Sequence, residues 1–178
     1  MEQLKGKKIA ILVENGFEEE ELTRPKDALD EAGAITHIIS PGNKKVKAWD
    51  HTDWGGEYEV DVLLEEASPD AYDALILPGG VLNPDKLRRS KEAIAFAEDF
   101  MNKNKLVAAI CHGAQTLIET GLLKGRTMTS FHAVKTDMEN AGANWKDEEV
   151  VHDNNLITSR KPDDIPAFNK AIIGYLSV

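Results

Sequence analysis

The sequence predicts an α/β domain in which helices cover both faces of a doubly wound sheet, a three-layer α/β/α arrangement. Two observations carry this. Four short runs, Lys8–Val13, Ile35–Ser40, Asp73–Leu77 and Leu106–Ile110, alternate with stretches of helical spacing. The runs are apolar without the polar alternation of a half-exposed strand, as strands covered on both faces require. Three of them end in glycine-bearing turns, Glu14-Asn15-Gly16, Pro41-Gly42-Asn43 and Pro78-Gly79-Gly80, and the fourth ends at the only cysteine.

Lys8–Val13 reads as the first strand. Behind it stand four glutamates, Glu18 to Glu21, and Pro25 near the expected start of a helix whose apolar positions Ala28, Leu29 and Ala32 stop at Gly33. Negative charge at a helix start complements the dipole, so three of the four glutamates read as solvated carboxylates. Ile35–Ser40 is the second strand. Val46 to Val60 mixes β-prone residues with a Gly55-Gly56 turn and reads as a hairpin off the main sheet. Its Trp49, His51 and Trp54 suit either a pocket wall or a contact between subunits, and the contact is favoured.

Asp73–Leu77 is a buried strand. Asn83-Pro84-Asp85 caps the next segment, and Ala93, Ile94, Ala97, Phe100 and Met101 form the apolar face of a helix. Leu106–Ile110 then runs into Cys111-His112-Gly113, where Ala114, Leu117, Ile118 and Leu122 begin a helical pattern closing at Gly121 or Gly125. Cys111 therefore sits on a sharp strand-to-helix turn, the geometry of a nucleophile elbow. Unpaired N–H groups at the helix start are expected to lower its pKa, although a small core hydrophobe fits the position equally well. Beyond it come a strand around Thr127–Phe131, a helix from Val134 to Ala141, and a hairpin of Glu149–His152 with Leu156–Ser159. Arg160–Asp164 opens a last helix with Ile165, Phe168, Ile172 and Tyr175-Leu176 facing inward. Gly16, Gly79-Gly80 and Cys111 all follow strand ends and should converge on one crevice.

The chain of 178 residues is read as a single domain, 1–178. A net charge of -10 argues against nucleic acid as a partner. One cysteine permits no internal disulfide, the amino terminus has no signal-type apolar core, and no run reaches the ~20 apolar residues of a membrane span. A reducing cytoplasm is the expected location. CxxC, HExxH, P-loop and dinucleotide fingerprints are all missing. Five histidines are scattered, and they make a metal site only if the fold gathers His51 and His132 near Cys111, so no metal and no cofactor are expected.

Val13-Glu14-Asn15-Gly16-Phe17-Glu18, Leu77-Pro78-Gly79-Gly80, Ala109-Ile110-Cys111-His112-Gly113, Asn140-Ala141-Gly142-Ala143 and Thr158-Ser159-Arg160 together resemble the ThiJ/PfpI superfamily, nearest its PfpI-like intracellular protease and deglycase branch. The resemblance implies a flavodoxin-like, class I glutamine amidotransferase-like fold with Cys111 as nucleophile. It implies Glu18 as the acid on the thiol, Gly80 and His112 N–H groups as an oxyanion hole, and Asp85 of a neighbouring subunit as partner to His112. His51, Trp54, His132 and Arg160 are the expected pocket wall. Ala114 stands where most relatives carry proline.

Three functions follow from the resemblance. The first is a cofactor-independent enzyme acting on reactive carbonyls, of glyoxalase or protein deglycase type, with small carbonyl compounds or glycated protein as substrates. The second is a cysteine peptidase that needs a homodimer or higher homo-oligomer, with unfolded protein as substrate. The third is a redox sensor or holdase built on the same sulfur.

Overall fold

The computed structural model describes residues 3–178. In chain order, β1 (Lys8–Leu12) and a two-residue strand β2 (Phe17–Glu18) lead into α1 (Glu19–Glu31). There follow β3 (Ile35–Ser40), β4 (Lys45–Asp50), β5 (Asp53–Glu59), β6 (Val62–Leu63) and β7 (Ala74–Leu77), then α2 (Leu82–Arg88) and α3 (Lys91–Asn102). After β8 (Leu106–Ile110) a 3-10 helix occupies Cys111–Thr120. The chain ends with β9 (Thr127–Met128), α4 (Lys135–Asn140), β10 (Asn144–Trp145), β11 (Val151–Asp153), β12 (Leu156–Ser159) and α5 (Ile165–Leu176).

The main sheet has the order β11-β12-β8-β7-β1-β3-β6. Its pairings are parallel except that β11 runs antiparallel to β12. Period two divides each central strand between two cores. Ile9 and Ile11 of β1, Ile76 of β7 and Ala108 and Ile110 of β8 meet Leu22 and Leu29 of α1 and Phe168 and Ile172 of α5. Ala10 and Leu12, Leu75 and Leu77, and Val107 and Ala109 point the other way, onto Phe96 and Phe100 of α3 and Met138 of α4. Fully burying each large aliphatic or aromatic side chain contributes about 1.5–3 kcal/mol, which is why the only polar residue of these strands is Lys8, at the exposed start of β1. The predicted doubly wound fold is therefore present.

Several boundaries differ from the sequence expectation. Helix α1 starts at Glu19, so Pro25 lies in its interior and Glu19–Glu21 form its first turn. Asn83-Pro84-Asp85 lies inside α2 and does not cap it. The strand expected at Thr127–Phe131 shrinks to β9, which pairs with β10 in a separate small sheet. The predicted excursion is the antiparallel β4–β5 hairpin, joined to the body through β2.

Loops after β1, β7 and β8 meet at the carboxyl end of the sheet. Gly80 adopts a φ of 80°, and a Cβ there would overlap the Gly16 carbonyl oxygen and stand 2.7 Å from the Glu18 nitrogen. Gly121 has a similar φ of 70° but faces open space. We therefore expect Gly80→Ala to lower the urea-unfolding free energy by about 3 kcal/mol or more, and Gly121→Ala by about 1 kcal/mol, since only the first adds a backbone clash to the strain of a positive φ.

Candidate active site

At Ile110 the chain is still extended, and at Cys111 φ turns to 61°. For a residue with a side chain that conformation costs about 1–3 kcal/mol and persists only where neighbours enforce it. Gly113 enforces it from one side: a Cβ there would overlap Leu77 O and lie 2.6 Å from Pro78 O, so the 3-10 helix can press directly on the loop after β7. Phe131 adds a hydrogen bond, its N–H donating to Cys111 O at 3.2 Å. The helix ends at Gly121.

The loop after β7 is fastened by Asn83, which is fully buried. Its Nδ2 donates to Pro78 O (2.9 Å) and Gly79 O (3.1 Å), and its Oδ1 accepts from Glu14 N–H (2.7 Å). That holds Gly80 with its N–H, together with that of His112, beside the Cys111 sulfur, where both favour its ionised form. Gly80 and His112, the residues whose N–H groups the resemblance names, thus both lie next to the thiol.

The carboxyl that meets the thiol is Glu21, which corrects the assignment of that role to Glu18. Glu21 is fully buried, its Oε2 accepts from Gly79 N–H (2.8 Å), and it interacts with the Cys111 side chain. Its Oε1 is buried without a hydrogen bond of standard geometry. Glu21 is four residues before Pro25 and eight before Leu29, the spacing of one helix face, and all three are buried. Glu18 precedes that face. Its Oε1 instead accepts from His51 N–H (3.2 Å) and lies 3.5 Å from His51 Nδ1.

Burial pushes Glu21 up to about 8, so it holds a proton at neutral pH. Burial, then the negative charge of Glu21 when ionised, pushes Cys111 up as well, against the pull of the His112 and Gly80 N–H groups. The expected thiolate is thus replaced by a resting thiol: Cys111 is buried, and desolvation outweighs the helix start. His112 Nδ1 stands 3.3 Å from the sulfur, and burial followed by the nearby His132 lowers the pKa of the ring, which is neutral at pH 7.

The remaining predicted residues are dispersed. Asp85 is exposed on α2, with no recorded contact to His112. Arg160 is engaged by Asp164 (2.9 Å) and Asp147 (2.8 Å). His132 packs against Phe131 with ring centroids 4.4 Å apart, and Phe131 also stacks on His112. Trp54 is exposed and packs edge-on against Trp49. It is Trp49, with Glu18, His51, Gly80, Val81 and Leu82, that lines a cavity of about 420 Å³ beside the elbow. Glu18, Asp50 and His51 bring one potential metal-ligand atom each within 4.8 Å of one another among the described residues. The larger groove of about 1220 Å³ beside α5 shares no residue with this site.

A doubly wound α/β protein with its single cysteine at a strained elbow, a buried carboxyl against the sulfur and two N–H groups facing it belongs to the class of cysteine-elbow proteins. Residues 7–174 match the DJ-1/PfpI family, and the chain belongs to that family. The uncharacterized protein SH1084 of Staphylococcus haemolyticus is 45% identical over 172 residues, covering 96% of this chain and 98% of that protein. SAV1875 of Staphylococcus aureus has the same identity and coverage. Among solved structures, a two-domain protein of Anabaena variabilis with DJ-1/ThiJ/PfpI-like and ferritin-like domains superposes with a TM-score of 0.89 at 40% identity. It covers 96% of this chain, which spans 48% of that one. Drosophila melanogaster DJ-1beta gives 0.88 at 27% identity, covering 96% and 90%.

Two measurements check the electrostatics. Because the folded-state pKa of Glu21 is raised from 4.5 to about 8, its stabilising proton is fully held below pH 4.5 and lost as pH rises through 8. That window holds on the order of 5 kcal/mol, so the stability difference between wild type and Glu21→Gln should fall by several kcal/mol from pH 4.5 to 8 in urea unfolding. Iodoacetamide alkylation of Cys111 should accelerate at a pH above that of an ordinary thiol.

Proposed function

We propose that the protein is a cofactor-independent cysteine enzyme acting on reactive carbonyls such as 2-oxoaldehydes. The observation that carries this reading is the neutral Glu21 carboxyl, buried against a thiol that also receives the Gly80 and His112 N–H groups. A carbonyl carbon reaching the sulfur meets a nucleophile, two donors for its developing oxyanion and a carboxylic proton.

In the addition step the S–C bond forms while the S–H proton passes to His112 Nδ1 and the carbonyl π pair becomes an oxyanion. Glu21 protonates that oxygen, giving a hemithioacetal and a carboxylate. For a 2-oxoaldehyde the carboxylate then moves the C1 proton to C2 while the C1 hydroxyl proton passes to the C2 oxygen, leaving a thioester; water hydrolyses it, its hydroxyl going to the acyl carbon and its proton to Glu21, as His112 returns its proton to the sulfur. The carbonyl plus one water becomes a 2-hydroxy acid, with C1 oxidised and C2 reduced, and no external electron carrier is required.

A second reading, peptide hydrolysis, is favoured by the 3.3 Å approach of His112 Nδ1 to the sulfur, which suits a base for acyl transfer. In that reading Asp85 is supplied by a second copy of the chain, so activity tracks oligomer size.

Purified protein incubated with methylglyoxal and no glutathione should consume the dicarbonyl and release a hydroxy acid. Cys111→Ser should abolish this, and Glu21→Gln should lower kcat by about a hundredfold, the scale of a lost general acid–base group. Equal consumption by wild type and Cys111→Ser would overturn the proposal, while casein cleavage dependent on Cys111 would establish the peptidase.

A further inference from the structure

In a cysteine–histidine pair the imidazole is ordinarily aimed by a third polar group, and among the described residues none hydrogen-bonds the ring of His112 in that role. Its Nδ1 contacts the Cys111 sulfur at 3.3 Å. What holds the ring is aromatic. Phe131 stacks on it with centroids 4.7 Å apart and planes 25° from parallel, and His132 backs Phe131 at 4.4 Å. The same residue fixes the main chain, since Phe131 N–H donates to Cys111 O at 3.2 Å. Phe131 therefore grips both halves of the pair.

We infer that Phe131 is a positioning residue that aims His112 Nδ1 at the Cys111 sulfur. This rests on the reading of Cys111 as the nucleophile. An offset stack of this kind contributes about 0.5–1.5 kcal/mol beyond area burial, enough to favour one ring orientation by a few-fold to about tenfold. The titratable groups next to the ring are the Cys111 thiol, which Glu21 touches in turn, and His132, which packs on Phe131. Burial first, and then His132, press the ring toward its neutral form, which is the form that accepts a proton.

Thiol alkylation tests this without any carbonyl substrate, so its outcome is independent of whether the carbonyl reading holds. Phe131→Tyr keeps the ring, whereas Phe131→Leu keeps apolar bulk and loses the stack. We expect Phe131→Tyr to retain the wild-type pH profile of iodoacetamide reactivity. Phe131→Leu should lose about tenfold in rate at pH 7 and displace the inflection due to His112, with an unchanged circular dichroism spectrum. In the unaltered protein the His112 ring protons should carry the upfield shift of a stacked phenyl group by NMR, which decides the matter should Phe131→Leu fail to fold. A folded Phe131→Leu with wild-type rate and profile, or His112 protons without that shift, would overturn the inference.

Discussion

The geometry of the site depends on one buried acid. A carboxylate with no water around it and a single N–H to receive would be several kcal/mol too costly to hold ionised at this depth, so Glu21 keeps its proton. In that form it links three parts of the chain that are distant in sequence: the first turn of α1, the Pro78–Gly80 loop and the elbow at Cys111. Gly79 has to be glycine for this, because a Cβ would overlap Glu21 Oε2 and stand 2.8 Å from Cys111 Cβ. The close approach that strips water from the acid is the same one that strips it from the thiol.

Four consecutive glutamates illustrate how helix geometry assigns different tasks to identical residues. Glu18 and Glu20 flank His51, with Glu20 Oε1 at 2.9 Å from its Nε2. Glu19 accepts from Gly56 N–H (2.8 Å) and Tyr58 OH (2.7 Å), which ties down the far strand of the hairpin. Glu21 turns inward. With about 100° between successive residues, a one-turn run of carboxylates grips the β4–β5 hairpin on one side and the core on the other.

Much of the fold was legible in the chain because its signals are local. Apolar runs without alternation marked the buried strands β1, β3, β7 and β8, glycine turns marked their ends, and the change of period at Cys111 marked the elbow. Glu21 was not, for a specific reason. Which glutamate faces the core depends on where α1 begins, and Pro25 suggested a start that lies well inside the helix. A proline in mid-helix removes a backbone donor but leaves the phase of the helix intact, so Glu21, Pro25 and Leu29 remain on one face. The raised thiol pKa was hidden likewise: the helix start is visible in a sequence, whereas the depth of the sulfur is a property of the assembled layers. Phe131 offered only an aromatic at the end of an expected short strand, and its stack on His112 needed the fold to bring residues 112 and 131 together.

The margins of the main sheet are β6, two residues long, and β11, three residues long and reversed relative to its neighbour. Edges this short offer little free backbone for another strand to pair with. Brevity thus disfavours lateral growth at both margins of that sheet, leaving the interior strands free to be as uniformly aliphatic as their packing demands.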